Sequence, residues 1–206
     1  IDNTAEAKKV LVDEMGGTLV TIAKDVKIQV EFNPAEVAAY RLIGYENRLL
    51  AAEDFNDDTK DAGEIGAGHT VTALYEIVPV GVEIELPGVD ELKYQRPRSR
   101  RGESSEEMLT LKLRYKQPDG DTSKLLVFPV TDAGHSYVAA SDDFKFAASV
   151  AAYGMLLRDS PHRGSASFDG VLELAGEGLG DDPHGYRAQF IELARKAGEL
   201  KAAAGE

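Results

Sequence analysis

Residues Val37 to Pro79 carry the pattern that sets the architecture of this chain, and they read VAAYRLIGYENRLLAAEDFNDDTKDAGEIGAGHTVTALYEIVP. The two ends of this segment, Tyr40–Tyr45 and Thr70–Val80, are rich in aromatic and β-branched residues, which favour β-strands. An acidic, glycine-bearing connector lies between them. We therefore predict two strands joined by an exposed connector, and we place the second strand centrally in its sheet because both of its faces are partly apolar.

Two further segments, Val26–Phe32 and Leu109–Tyr115, alternate between apolar and polar residues with the period of two that is typical of a strand. A third segment, Lys124–Val130, follows the second of them along the chain. The last two flank the turn-forming residues Gln117–Asp121, which indicates a hairpin. Since the pattern shows no helix between successive strands, we expect an antiparallel sheet or sandwich rather than a parallel βαβ fold.

The character of the chain changes near residue 135, where apolar residues begin to recur at helical spacing. The predicted helices are Thr4–Met15, ending at Gly16-Gly17, and then Asp142–Leu157, Phe168–Ala175 and His184–Ala204. The predicted fold class is α+β. It comprises a mostly antiparallel, β-sandwich-like domain over residues 24–135 and a C-terminal helical region over residues 136–206.

Composition narrows the range of functions. With 206 residues and 43% hydrophobic content the chain can bury a core, and a net charge of −13 disfavours nucleic acid as a partner. The absence of cysteine removes disulfides, thiolate metal sites and cysteine nucleophiles. No apolar run reaches the length of a transmembrane helix, and the start, Ile1-Asp2-Asn3, suggests a piece of a longer chain.

The acidic connector is the main candidate for a metal site because hard cations prefer several oxygen ligands on one loop. Its candidate ligands are Asp54, Asp57, Asp58, Asp61 and His69. An EF-hand requires glycine at the sixth position and glutamate at the twelfth, whereas counting from Asp54 gives Thr59 and Ile65. We expect a solvated turn in which Asp side chains cap local backbone groups, and we expect no cofactor.

A basic patch made of Arg96, Arg98, Arg100 and Arg101 lies in a segment, 85–108, with few large apolar residues. We predict a long mobile loop there. Four arginines could hold a phosphate or an acidic protein partner, although the glutamates that follow would compete for them. We assign this patch to partner binding.

Three strings carry a resemblance to a known family: Gly16–Lys27 (GGTLVTIAKDVK), Tyr40–Arg48 (YRLIGYENR) and Asp54–His69 (DFNDDTKDAGEIGAGH). They resemble the region downstream of the metal-binding domain in bacterial von Willebrand factor type A proteins of the YfbK type. The resemblance implies that residues 1–23 are the last helix and junction of a truncated von Willebrand A domain. That domain's adhesion motif, Asp-x-Ser-x-Ser, is not matched here, since the nearest string, Asp121–Leu125, ends in leucine.

These observations favour a non-enzymatic binding or scaffold module that accompanies a von Willebrand A domain in protein–protein interaction. Its expected partners are that domain and a further protein whose identity the sequence leaves open. The resemblance also implies a location in the cell envelope or periplasm. The alternative is a metal-assisted hydrolase that uses the acidic connector, residues 54–69, with His69.

Overall fold

The computed structural model describes residues 4–13, 20–45, 49–82 and 106–205. It divides the chain into two compact units, Ile1–Ala133 and Gly134–Glu206. The first, called the β unit, holds the strands, and the second, called the helical unit, holds the long helices. The prediction placed the change of character near residue 135. The α+β class, with antiparallel sheets followed by C-terminal helices, is confirmed.

The described part of the β unit begins with a short helix and continues with two antiparallel sheets. The helix, α1 (Thr4–Lys8), continues as one π-helical stretch, Lys9–Asp13. One sheet has the order β3-β1-β5-β6 and the other pairs β2 with β4. The strands are β1 (Thr21–Phe32), β2 (Val37–Ile43), β3 (Gly63–Gly66), β4 (Leu74–Pro79), β5 (Glu107–Lys116) and β6 (Ser123–Thr131). The predicted helix stop at Gly16-Gly17 lies outside the described residues.

The predicted hairpin is confirmed as β5 and β6, and its register aligns apolar side chains across three strands. Because the side chains of a strand alternate between its two faces, residues paired across neighbouring strands share one face. The rows on that face are Ile28–Leu113–Leu126, Val30–Leu111–Phe128 and Phe32–Leu109–Val130. One side of the four-stranded sheet is therefore apolar across β1, β5 and β6.

The turn after β1 brings the two sheets together at Phe32. The Phe32 ring stacks on Tyr40 of β2 at 4.1 Å between centroids and meets Tyr75 of β4 edge-on at 5.3 Å. Within the turn, the Asn33 side chain accepts from the Ala35 N–H and donates to the Glu107 carbonyl at 2.7 Å. Asn33, which directly follows β1, thus ties the turn to β5.

Two predictions about strands were wrong. The second strand of the opening segment was expected to be central, yet β4 begins only at Leu74 and pairs with β2 in a two-stranded sheet. Its apolar character on both faces has another cause, since packing against Phe32 buries part of Tyr75. β3 was not predicted, because the glycines of Gly63–Gly66 are typical of a turn and only pairing with β1 makes this segment a strand.

The helical unit contains α2 (Asp142–Leu157), α3 (Phe168–Glu177) and α4 (Tyr186–Ala203). Ser141 and Ser167 are N-caps, and their hydroxyls accept from backbone N–H groups three residues later. The three helices share a core formed by Leu156, Val171 and Ala194, one residue from each helix. Tyr153, Phe168 and Phe190 pack against it. The three predicted helices are confirmed.

Gly178, the residue that follows α3, lies against the backbone of α2. A Cβ atom at this position would stand 2.5 Å from the Phe146 nitrogen and 2.7 Å from the Asp142 carbonyl oxygen. These are backbone atoms of a helix, so rotation of a side chain cannot relieve the clash. The close approach of α2 and α3 therefore depends on glycine at this position.

We predict that Gly178→Ala destabilises the helical unit by about 3 kcal/mol or more, because the helices must separate to admit the methyl group. Gly176→Ala is the matched control, since a Cβ there meets nothing within 4 Å and alanine is the better helix former. Urea unfolding followed by far-ultraviolet circular dichroism measures both variants. Equal midpoints for the Gly178 variant and the unmodified chain would contradict the close-packing argument.

Candidate functional site

The acidic connector of the β unit folds over the polar face of the four-stranded sheet. It consists of a 3₁₀ helix, Ala52–Asn56, the turn residues 57–62 and then β3. Several cations lie on the sheet face opposite the apolar rows, and we call three of them the cationic row: Lys27, Arg114 and Lys116. Each member of this row bonds to a residue between Asn56 and Asp58. The candidate site is therefore built from the connector and this row together.

Lys27 is the buried member of the cationic row, with 3% of its surface exposed. Its ammonium group donates to the backbone carbonyls of Asp54, at 3.1 Å, and Asp57. Burial of an ammonium ion is costly unless hydrogen bonds replace its water, and the connector supplies them. Each of these carbonyls also accepts from a backbone N–H of the connector, Asp54 from Asp57 at 3.3 Å and Asp57 from Lys60 at 3.2 Å, so the lysine adds a second, charged donor to both.

Lys116 makes the second attachment through a bulge in β1. The register between β1 and β5 shifts between Lys24 and Lys27, and Asp25 in this bulge has a positive φ of 52°. Its carboxylate accepts from Lys116 Nζ at 2.6 Å and from the Ala62 N–H at 3.2 Å. Lys116 also donates to the Asp58 carbonyl at 2.8 Å. The hydrogen bond from Lys116 lowers the pKa of Asp25, and the same bond raises the pKa of Lys116.

Arg114 makes the third attachment and joins the connector to the hairpin. One guanidinium nitrogen donates to the Asn56 side-chain oxygen at 2.9 Å, and another donates to the Ser123 hydroxyl at 2.8 Å. The guanidinium carbon lies 5.5 Å from the centre of the Phe55 ring, which is buried. Arg114 Nε is buried and has no hydrogen-bond partner among the described residues.

The predicted metal ligands form hydrogen bonds with different partners. The Asp57 carboxylate accepts from the Thr59 N–H at 2.9 Å and the Thr59 hydroxyl at 2.7 Å, which is the predicted local capping. Asp58 instead accepts from the Ser123 N–H of β6 at 3.3 Å. Hydrogen bonding from the Thr59 hydroxyl and N–H lowers the pKa of Asp57, and hydrogen bonding from the Ser123 hydroxyl and N–H lowers the pKa of Asp58.

The remaining three candidates also lie apart from a common centre. Asp54 pairs with Lys60 at 3.5 Å, Asp61 is exposed, and His69 Nδ1 accepts from the Gly66 N–H at 3.2 Å. That acceptor role leaves the proton of a neutral His69 on Nε2. Within residues 4–13, 20–45, 49–82 and 106–205, no group of three or more His, Cys, Asp or Glu side chains is placed to hold a metal ion.

Sequence reasoning missed the residues that hold the connector: Asp25 and the cationic row. Lys27 alternates with apolar neighbours in β1, and this pattern predicted a side chain on the solvent-exposed face of the strand. The available signal was charge complementarity, since Lys112, Arg114 and Lys116 recur at every second position of β5 while the connector is acidic. The predicted partner-binding arginines, Arg96, Arg98, Arg100 and Arg101, lie outside the described residues.

Two open clefts of the helical unit lie at the ends of its helices. The larger, about 790 Å³, contains Asp159 between Arg163, at 3.1 Å, and Lys201, at 2.7 Å. The hydrogen bond from Lys201 lowers the pKa of Asp159. The smaller cleft, about 540 Å³, is lined by Asp182 and Arg187 among others, and Asp182 accepts from the first N–H groups of α4. In both clefts these charged groups hold helix ends in place.

We predict that Lys27→Met destabilises the β unit by about 1.5–3 kcal/mol, because it removes the charged donor that binds the Asp54 and Asp57 carbonyls to the sheet. Hydrogen exchange should show faster exchange of amides in residues 52–62, and urea unfolding should show the lost stability. Lys60→Met is the control, since its ion pair with Asp54 is exposed and is expected to contribute less than about 1 kcal/mol. Equal exchange in the two variants would refute the attachment role of Lys27.

We also predict that the stability of the β unit depends on pH and that Asp25→Asn reduces this dependence. The lowered pKa of Asp25 gives stability that is present above the ordinary carboxyl pKa of 3.8 and is lost as pH falls through the folded value. The raised pKa of Lys116 gives stability that is present below 10.5 and is lost as pH rises through the folded value.

Asparagine at position 25 tolerates the positive φ and still accepts from Ala62, but it removes the ion pair. The variant should therefore lose less stability than the unmodified chain in both the acid and the alkaline limb of a melting-temperature profile. Asp119→Asn, in an exposed turn, is the control and should leave both limbs unchanged. Parallel profiles for the Asp25 variant and the unmodified chain would show that this pair does not control the dependence.

Comparisons with known proteins give a consistent result. The family model described as "Uncharacterized protein YfbK, C-terminal" matches residues 17–200. A protein of Escherichia coli (strain K12), "Uncharacterized protein YfbK", is 44% identical over 198 residues, which cover 96% of this chain and 33% of the relative. The chain thus spans about one third of the length of this relative. No solved structure matches the chain. In the described part, no helix combines the length and apolar character needed to cross a bilayer.

Proposed function

This chain belongs to the family of YfbK C-terminal regions, and from that premise we propose that it is a non-enzymatic binding or scaffold module of a longer protein. In this proposal it accompanies a von Willebrand A domain and contributes to protein–protein contacts. The resemblance of residues 16–69 to the segment that follows such a domain supports the pairing. The relative's greater length is consistent with a preceding domain.

The observation that carries the proposal is the exposure of β6, the edge strand of the four-stranded sheet. Apolar side chains on both of its faces are between 41% and 50% exposed: Leu125, Leu126, Val127, Phe128 and Val130. A run of exposed apolar residues is typical of an interaction surface. Asp57 and Asp58 of the connector, by contrast, accept hydrogen bonds from within the β unit.

The same proposal covers the compartment and the basic patch. We place the protein at the cell envelope on the strength of the family resemblance alone. We assign Arg96, Arg98, Arg100 and Arg101 to contact with an acidic partner, because clustered guanidinium groups bind carboxylates bidentately. Fractionation of cells that produce the longer protein checks the first point. Recovery in the cytosol would refute it.

The test of function compares two forms of the longer protein, one complete and one that lacks residues 20–206. We expect cross-linking and mass spectrometry to recover some protein partners only from the complete form. Those partners should also bind the purified 206-residue chain, which separates direct contacts from indirect ones. Circular dichroism of the shortened form is the control for its folding. Identical partner sets for the two forms would refute the proposal.

A further inference from the structure

Among the described residues of the β unit, the apolar side of the four-stranded sheet is only partly covered. Phe32 lies under the rings of Tyr40 and Tyr75. The two rows that do not contain Phe32 have exposed members, with exposures of 47% at Ile28, 42% at Leu126 and 45% at Phe128. We call these two rows the apolar face, and its residues are Ile28, Val30, Leu111, Leu113, Leu126 and Phe128.

The edge of β6 is less suited to binding than its face. Pro129 lies within β6 opposite Thr110 of β5. Proline has no N–H group and interrupts a hydrogen-bonded ladder, which is one way in which edge strands avoid pairing with further strands. A partner of this region is therefore expected to pack on the apolar side chains rather than extend the sheet.

The size of the apolar face indicates what kind of partner fits it. Three strands about 4.8 Å apart, with two rows along them, give a flat footprint of roughly 200–300 Å². A stable interface between separate proteins buries about 800 Å² on each partner. A second copy of the chain is further disfavoured because each copy has a net charge of −13.

A partner on the same polypeptide does not need an interface of this area. A short tether holds it at an effective concentration on the order of millimolar, so a weak apolar contact is sufficient. The matching relative is about three times as long as the aligned region, and the family is described as C-terminal. The apolar face lies in the β unit, which is also the unit that contains α1 and β1 at the start of the chain.

We infer that the apolar face is the docking surface for the part of the longer protein that precedes this chain. The contacting surface of that part is apolar and lacks charge at its centre, because an unpaired charge buried against these side chains would be costly. The inference rests on the proposed function and names the surface through which the preceding part binds.

The chain has no cysteine, so single cysteines can report on each face of β6. Phe128→Cys lies on the apolar face, and Val127→Cys lies on the opposite face with similar exposure in the described structure, 45% against 50%. Both variants are made in the longer protein and in the 206-residue chain. Maleimide labelling is followed by mass spectrometry of the β6 peptide, which separates these thiols from any others.

We expect the cysteine at position 128 to react about tenfold or more slowly in the longer protein than in the 206-residue chain. The cysteine at position 127 should react at similar rates in both. Equal rates at position 128 would overturn the inference. Slow labelling of position 128 in the 206-residue chain would also overturn the inference. If the slow labelling depends on protein concentration, a second copy covers the face. If it does not, another part of the same chain covers the face.

The two proposals can fail separately. If the partner sets differ while position 128 labels freely in the longer protein, the binding function holds and the docking surface is wrong. If position 128 is protected in the longer protein while the partner sets are identical, the contact is internal to that protein and the recruitment of other proteins fails.

Discussion

The buried ammonium group of Lys27 is the interaction on which the arrangement of the β unit depends. It lies under the acidic connector and donates to two of the connector's carbonyls, so the loop and the sheet cover each other's polar groups. Lys116 and Arg114 of β5 also donate hydrogen bonds to the connector. A connector with little regular structure thereby becomes a fixed layer on one side of the sheet.

This layer makes the two sides of the sheet chemically different. The polar side is covered by the chain's own connector, and its charges are used in contacts within the β unit. Among the described residues of the β unit, aromatic rings cover the apolar side where Phe32 meets Tyr40 and Tyr75, and this side ends at a proline-containing edge strand. The sheet therefore has one side committed to its own stability and one side with the character of a contact surface.

Local sequence signals predicted the elements that are specified by their own residues. β5 alternates with a period of two and leads through a Pro-Asp-Gly turn into β6, and α2 begins at a serine cap. The predictions failed where a distant partner decides the structure. Gly63–Gly66 is a strand only because β1 lies beside it, and β4 is confined to a two-stranded sheet although both of its faces are apolar.

The sequence by itself determined the α+β class, the antiparallel strands and the family, because periodicity, turn residues and characteristic strings are local properties of the chain. The tertiary structure alone decided that Lys27 is buried, that Asp25 faces Lys116 through a bulge, and that the connector's acids hold a loop. Those outcomes depend on pairs as far as 91 positions apart, and hydrogen bonds over such separations are fixed by register and packing rather than by local preference.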